Sequence, residues 1–306
     1  MNLPAYDLSV LARSSGALAM LAVDQREAMR LMFAGNAVPE PDGSVPARVL
    51  ESVPDRKLTA FKTAAARVLT PYASGVLADR QFCFDALVEE EAVAPGCGLI
   101  AAADHFVPGH GEVVTDAVID EDVDAHTVRG QGAVAMKLLV IWRPDGSPET
   151  RTNMVRRFVR RCRDAGLVSI IEPVSRPPRS GDAWDHTSGV LAAARELGNL
   201  GADLYKGEVP HGGRSTDEEI RRSCAELDEA IASPWVVLSS GVPADEFPRA
   251  VRLACEAGAS GFLAGRAVWR DCIGAPDLER ALHEDAVPRL RHLVDIVDET
   301  VAARVG

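Results

Sequence analysis

A regular alternation of short apolar runs and amphipathic stretches is the feature that most constrains the fold of this chain. Runs rich in Val, Ile, Leu and Ala predict eight β-strands, at Ala17–Val23, Gly75–Ala78, Leu99–Ala102, Ala133–Leu139, Val168–Ile171, Leu204–Tyr205, Val236–Leu238 and Gly261–Ala264. Helix-period stretches lie between them, among others Asp55–Leu69, Pro148–Ala165, Thr187–Leu197, Thr216–Ile231, Asp245–Ala257 and, after the last strand, His283–Ala303. Eight strands alternating with helices favour a closed (β/α)8 barrel, a TIM barrel of the α/β class.

The main alternative is an open, doubly wound sheet. Such sheets that bind dinucleotides carry G-x-G-x-x-G after the first strand, whereas this chain has Asp24-Gln25-Arg26 there. The length of 306 residues suits one barrel, so we expect a single domain over residues 1–306. The Pro-rich segment at about 36–54 is interpreted as a long surface loop of that domain.

The overall charge excludes two classes of partner. A net charge of −12 disfavours nucleic acid and anionic membranes, although an anionic small substrate could bind where cations gather locally. The six cysteines form no C-x-x-C pair, and the first residues show no signal-peptide pattern. We therefore expect a cytoplasmic protein, assembled as a homo-oligomer.

Charged or hydroxylated residues stand at nearly every predicted strand end. They are Asp24, Asp79, Asp104, Lys137, Glu172, Lys206, Ser239-Ser240-Gly241 and Gly265-Arg266. In a barrel these ends converge on the face where catalysis occurs. Solvent exposure explains polar residues at one or two strand ends, but not two lysines and a glutamate inside apolar runs, because a buried charge is costly unless it is paired.

The two lysines and the glutamate suggest imine chemistry. Lysine is a nucleophile only without its proton, and burial or a second nearby cation lowers its pKa. We expect Lys206 to be the nucleophile, Lys137 to approach it so that each lowers the pKa of the other, and Glu172 to shuttle protons. Asp24 would hold a substrate hydroxyl or Lys137. The alternative is an ion network that only stabilises the barrel.

The ends of the last two predicted strands suggest an anion site. Small residues and an arginine stand in the two loops that commonly bind phosphate in barrels, at Ser239, Ser240, Gly241, Gly265 and Arg266. Arg176 and Arg179, in a proline-stiffened loop, would bind the far end of an anionic substrate. Turn glycines and solvated arginines are the alternative explanation.

A metal-dependent aldolase is a competing hypothesis. Asp104, His105 and His110 lie close together in a predicted loop after the third strand. Their spacing matches no metal-binding signature, so we expect neither a metal nor another cofactor.

At these positions the sequence resembles the class I aldolases that include the tagatose-1,6-bisphosphate and sulfofructosephosphate enzymes. The matching segments are Ala22–Arg26, Met136–Leu139, Ile171–Pro173, Asp203–Lys206, Leu238–Val242 and Gly265–Trp269. Three further segments are more similar to the sulfofructosephosphate branch: Arg26–Phe33, Arg176–Arg179 and Phe262–Arg266.

This resemblance implies cleavage of 6-deoxy-6-sulfofructose 1-phosphate to dihydroxyacetone phosphate and 3-sulfolactaldehyde. It implies Lys206 as the Schiff-base residue and Glu172 as acid/base. It further implies substrate or anion contacts at Asp24, Gln25, Lys137, Ser239, Gly241, Gly265 and Arg266. We expect Arg26, next to Gln25, to contact the substrate as well. Gly207 and residues 210–214 depart from the family pattern, which bears on substrate specificity more than on mechanism. Two alternatives stay open: a bisphosphorylated ketose as substrate, or a non-catalytic barrel that binds sugar phosphates.

Overall fold

The chain folds into a closed barrel of eight parallel strands, as the sequence predicts. The structure is a computed structural model and describes residues 5–305. Going round the barrel in chain order, the strands are β1 (Leu18–Ala22), β2 (Gly75–Ala78), β3 (Gly98–Ala102), β6 (Ala133–Trp142), β7 (Val168–Ser175), β8 (Leu204–Glu208), β9 (Trp235–Leu238) and β10 (Gly261–Ala264). Strand β10 pairs back onto β1 and closes the ring.

Helices surround the barrel. They are α1 (Glu27–Phe33), α2 (Ala47–Ser52), α3 (Asp55–Leu69), α4 (Phe84–Glu89), α5 (Ala125–Gly130), α6 (Pro148–Ala165), α7 (His186–Leu197), α8 (Asp217–Ala230), α9 (Phe247–Glu256), α10 (Arg266–Trp269), α11 (Leu278–Ala281) and α12 (Val287–Val305). No helix among residues 5–305 has the length and apolar character needed to cross a bilayer.

Helix α6 illustrates why the helices begin and end where the sequence predicts. The Ser147 side chain accepts a hydrogen bond from the Thr150 N–H, Pro148 occupies the first turn, and Gly166 closes the helix at a φ of 68°. A hydroxyl acceptor and a proline are favourable at a helix start, and only glycine adopts a left-handed conformation at little cost. These local signals explain why both bounds match the prediction.

Three strands are longer than predicted. Strand β6 continues to Trp142, β7 to Ser175 and β8 to Glu208. The extended parts of β6 and β7 pair with each other, since Leu139 through Trp142 pair with Glu172 through Ser175. The extended part of β8 pairs with β9, where Lys206 through Glu208 pair with Val236 through Leu238. Lys137, Glu172 and Lys206 therefore lie inside strands and not at their ends.

Two other predictions about loops are wrong. The segment after β3 is an antiparallel hairpin of β4 (Asp104–Gly109) and β5 (Glu112–Ile119), and the Pro-rich segment contains α2. The two features contact each other, because the Gly111 N–H donates to the Pro41 carbonyl over 2.9 Å. A side chain at Gly43 would collide with the backbone of the hairpin, so glycine is required at this approach.

The inside of the barrel is filled from below by an apolar cluster. Its members come from all eight strands, and Leu11, in a short 3-10 helix, closes the bottom with no exposed surface. Because side chains alternate along a strand, residues two positions beyond these apolar ones also face inward. A second apolar core lies between the strands and the helices.

Candidate active site

Five charged side chains continue the inward-facing series above the apolar cluster. They are Asp24, Asp104, Lys137, Glu172 and Lys206, and each except Glu172 is at most 6% exposed. A cavity of about 740 Å³ opens at this end of the barrel, and Asp24, Lys137 and Glu172 form part of its wall. These three side chains therefore form the floor of a cavity large enough for a sugar phosphate, and Lys206 and Asp104 lie behind them, outside the residues that line it.

Glu172 joins the two lysines. Its Oε1 lies 2.9 Å from Lys206 Nζ and its Oε2 lies 3.1 Å from Lys137 Nζ. Strands β6, β7 and β8 are neighbours, so the three side chains reach one another across two strand pairs. The prediction that the lysines approach each other must be refined, because a carboxylate stands between them.

Lys137 is surrounded by negative charge. Its Nζ lies 2.8 Å from Asp24 Oδ2 and 2.8 Å from Asp104 Oδ2, besides its contact with Glu172. Burial acts to lower the pKa of Lys137, but Asp104, Asp24 and Glu172 outweigh burial and hold the pKa well above its ordinary value. The prediction of a lowered pKa is therefore wrong for Lys137, which is a permanent cation near neutral pH.

Asp24 is the counterpart of this cation. Burial acts to raise the pKa of Asp24, but the charges of Lys137 and Lys206 outweigh burial and hold the pKa well below its usual range. Of the two roles predicted for Asp24, holding Lys137 is the one seen in the structure. Asp24 is thus ionised throughout the physiological pH range.

Gln25 and Arg26 line the cavity next to Asp24. Arg26 Nη2 donates to Asp104 Oδ1 over 2.8 Å, and its guanidinium carbon lies 4.1 Å from the centroid of the Phe106 ring. The Nε of Arg26 is buried and has no hydrogen-bond partner among the described residues. Arg26 is held firmly and still has a donor to offer.

Ser240, Arg266 and Arg176 line the same cavity. The Arg266 guanidinium forms no hydrogen bond or ion pair with any of residues 5–305. Burial lowers the pKa of Arg266 below its ordinary value, and the nearby Glu172 offsets this only in part. A half-buried guanidinium without a partner is suited to an anionic ligand.

The remaining predicted anion contacts lie outside the cavity wall. Ser239 is buried beside it, Gly241 lines a neighbouring groove, and a side chain at Gly265 would collide with the Ala22 carbonyl oxygen. Arg179 is exposed and points to the hairpin, with Nη2 3.6 Å from Asp116 Oδ2. The structure therefore brings Arg176, but not Arg179, to the cavity.

Comparison with known proteins identifies the family to which the chain belongs. A sequence profile described as DeoC/LacD family aldolase matches residues 18–271. The chain belongs to this family. Tagatose 1,6-diphosphate aldolase of Listeria monocytogenes is 25% identical to this aldolase over 292 residues, which cover 87% of this chain and 81% of the relative. Tagatose 1,6-diphosphate aldolase 2 of Enterococcus faecalis is 27% identical over 291 residues, with 85% and 81% covered.

Solved aldolase structures share the barrel. Fructose-bisphosphate aldolase from Slackia heliotrinireducens has a TM-score of 0.65 at 16% identity, covering 98% of this chain and 89% of that one. An archaeal fructose-1,6-bisphosphate aldolase, with its catalytic lysine covalently bound to the carbinolamine intermediate of the substrate, has a TM-score of 0.61 at 16% identity, covering 95% and 98%. At these identities the likeness concerns the fold.

The residues of the metal hypothesis do not come together in this aldolase. Within residues 5–305, no three His, Cys, Asp or Glu side chains are grouped as metal ligands. Asp104 is buried and holds Lys137, His105 is exposed at the cavity, and His110 occupies the hairpin turn at a φ of 51°. The hairpin separates the three side chains that the sequence places side by side.

Sequence reasoning missed the roles of two buried carboxylates. Asp104 is predicted at a strand end on the catalytic face and as a metal ligand, but not as the partner of Lys137, although its position two residues beyond Ala102 gives it an inward direction on the strand pattern. Glu208, two residues beyond Lys206, accepts from the Ser175 N–H over 2.6 Å and lies 3.8 Å from Arg176. The same two-residue spacing could have identified both.

Proposed function

We propose that this aldolase is a class I, Schiff-base enzyme that cleaves a 1-phosphorylated ketose, with Lys206 as the nucleophile. One observation carries the proposal: a lysine on the inner face of the barrel, 4% exposed, has its Nζ 2.9 Å from a carboxylate at the floor of the cavity. Glu172 is within reach to accept the proton of this amine.

The chemistry follows from this arrangement. The neutral Lys206 amine attacks the C2 ketone, and Glu172 transfers protons while the carbinolamine loses water to form an iminium. The electron pair of the C3–C4 bond moves to the iminium as the C4 hydroxyl loses its proton to a carboxylate or phosphate oxygen. An aldehyde leaves, and the remaining enamine is protonated and hydrolysed to dihydroxyacetone phosphate.

The fixed charges around Lys206 have separate tasks in this proposal. Lys137 stays charged and donates to substrate hydroxyl or carbonyl oxygens, which stabilises negative charge as it develops. Asp24 keeps Lys137 in place and accepts from a hydroxyl. Ser240 and Arg266 bind the 1-phosphate, in the region where barrels commonly hold phosphate.

For the substrate we propose 6-deoxy-6-sulfofructose 1-phosphate. Support comes from the segments Arg26–Phe33, Arg176–Arg179 and Phe262–Arg266, which resemble the sulfofructosephosphate branch, and from the Arg176 guanidinium on the cavity wall. The alternative substrate is tagatose 1,6-bisphosphate, which the names of the relatives in Listeria and Enterococcus favour. Comparing kcat/KM on the two substrates separates these assignments, since a preference of tenfold or more in either direction decides.

Trapping the imine tests the mechanism. The chain has four lysines, Lys57, Lys62, Lys137 and Lys206, so peptide mapping after borohydride reduction with dihydroxyacetone phosphate assigns the adduct without ambiguity. We expect one adduct, on Lys206, absent from Lys206→Ala and retained by Lys57→Ala. An adduct on Lys137, or none on the wild type, rejects the proposal. Turnover of either substrate excludes a barrel that only binds sugar phosphates.

A further inference from the structure

We propose that Asp104 is the positioning residue of the site. It fixes the β4–β5 hairpin to the charged side chains at the floor of the cavity, and it holds Lys137 so that Glu172 remains available to Lys206. The inference rests on the proposed Schiff-base function and deepens it. Asp104 does not contact the reacting atoms; it acts through Lys137 and Arg26.

Both carboxylate oxygens of Asp104 are engaged. Oδ1 accepts from Arg26 Nη2 over 2.8 Å, while Oδ2 accepts from Lys137 Nζ over 2.8 Å and from the Leu139 N–H over 2.9 Å. Asp104 has no exposed surface. This side chain at the start of β4 therefore contacts Arg26, just before α1, and Lys137 and Leu139 on β6, and any displacement of β4 changes all three contacts.

Asp104 also places Arg26 under the hairpin. The guanidinium of Arg26 lies between the Asp104 carboxylate and the Phe106 ring, both on β4. Stacking on an aromatic face and an ion pair together restrict the guanidinium to one plane. The buried Nε of Arg26, which has no partner among the described residues, is thereby kept beside the cavity.

The second consequence concerns competition for Glu172. Lys137 and Lys206 each contact one oxygen of this carboxylate, at 3.1 and 2.9 Å. With Asp104 in place, Lys137 has two further carboxylates, Asp24 and Asp104. Without the charge of Asp104, Lys137 would depend more on Glu172, and Glu172 would be less available to take the proton of Lys206.

Asp104→Asn tests this role, because the amide keeps the shape of the side chain and an oxygen for the Leu139 N–H. The charged groups around Lys137 would then be Asp24 from β1, Glu172 from β7, Lys206 behind Glu172, and Arg26. We expect kcat to fall about tenfold or more with KM changed less than threefold. The alkaline limb of the plot of kcat against pH should move down by about one pH unit, because a carboxylate within 4 Å raises a lysine pKa by that order and Lys137 loses one such carboxylate in this variant.

The chain supplies a matched control. Asp79 is also fully buried and also pairs with a lysine, Lys62, but this pair joins the residue after β2 to α3 and includes none of the five charged side chains of the active site. Asp79→Asn should lower Tm as Asp104→Asn does and leave kcat and its pH profile unchanged. If Asp104→Asn behaves as Asp79→Asn does, the positioning role is wrong and Asp104 is only structural.

Asp104→Glu completes the test and replaces Asp104→Asn should that variant not fold. It keeps the charge and lengthens the side chain by one methylene, so we expect a lower kcat with an unmoved pH profile. An unchanged kcat would overturn the inference. Imine trapping on Lys206 is measured alongside: a wild type that gives no adduct rejects the Schiff-base function, whereas an adduct in all variants with unaltered kcat rejects only the role of Asp104.

Discussion

Replacing Lys137 with methionine removes the one ammonium group that three buried carboxylates share. The Lys137 Nζ lies 2.8 Å from Asp24, 2.8 Å from Asp104 and 3.1 Å from Glu172, whose side chains are 9%, 0% and 12% exposed. Methionine fills a similar space without charge. Asp104 still has its ion pair with Arg26, and Glu172 still has its ion pair with Lys206. The negative charge of the three carboxylates is nevertheless no longer balanced.

The size of the effect follows from this burial. Removing one partner of a buried ion pair costs roughly 3–5 kcal/mol, because the other partner stays desolvated. For a chain of this length each kcal/mol lowers Tm by about 2–3 °C, so Lys137→Met should lower Tm by roughly 6–15 °C at pH 8. Lys57→Met is the control, since Lys57 is exposed and its loss should change stability by less than about 0.5 kcal/mol.

The pH dependence gives the sharper test. In the wild type the folded pKa of Asp24 is lowered, so its stabilising contribution is present above the unfolded pKa of about 3.9 and is lost only as pH falls through the lower folded value. Without Lys137, we expect the folded pKa of Asp24 to rise above its unfolded value, because burial acts to raise it and its main opposing charge is gone. Protonation then favours the folded state, and the Tm deficit should shrink by about half between pH 8 and pH 5. A deficit that is the same at pH 5, 6, 7 and 8 in differential scanning calorimetry would refute the reasoning.

Three further substitutions test the remaining parts of the site. Glu208→Gln should free Arg176 and raise KM about three- to tenfold at unchanged kcat, as measured by steady-state kinetics. Arg266→Met should raise KM for the phosphorylated ketose by roughly 10- to 100-fold, since a hydrogen bond to a charged group contributes about 1.5–3 kcal/mol; an unchanged KM would remove Arg266 from the phosphate site. Gly265→Ala should reduce the free energy of unfolding by roughly 1–3 kcal/mol in urea, because the methyl group meets the Ala22 carbonyl.

The fold could be predicted because its signals are local. The bounds of α3 and α6, at Asp55–Leu69 and Pro148–Ala165, were read from periodicity and capping residues within each segment. The eight barrel strands follow in the same way from short apolar runs. Strand ends are less well predicted, because the apolar runs end at Leu139 and Ile171 whereas β6 and β7 continue to Trp142 and Ser175.

The pattern of hydrogen bonds and ion pairs within the site could not be predicted, because the residues that form them are distant in sequence. Asp104 binds Arg26, 78 positions away, and Lys137, 33 positions away. Beside it in the sequence stand His105 and, a little later, His110, which suggested a metal loop instead. Similarly, the sequence gives Arg176 and Arg179 the same predicted role in binding an anion. The strand β7 extends to Ser175, and Arg176, which follows it directly, lines the cavity.

The structure distinguishes two lysines that the sequence presents as equals. Each carboxylate within contact distance favours the charged form of an amine. Lys137 has three such carboxylates, whereas among residues 5–305 Lys206 has one within 4 Å, Glu172. Losing its proton costs Lys206 one ion pair and would cost Lys137 three. The proton that Lys206 gives up can pass to Glu172, which Lys137 then continues to hold in place. This asymmetry supports Lys206 as the nucleophile and Lys137 as the fixed charge beside it.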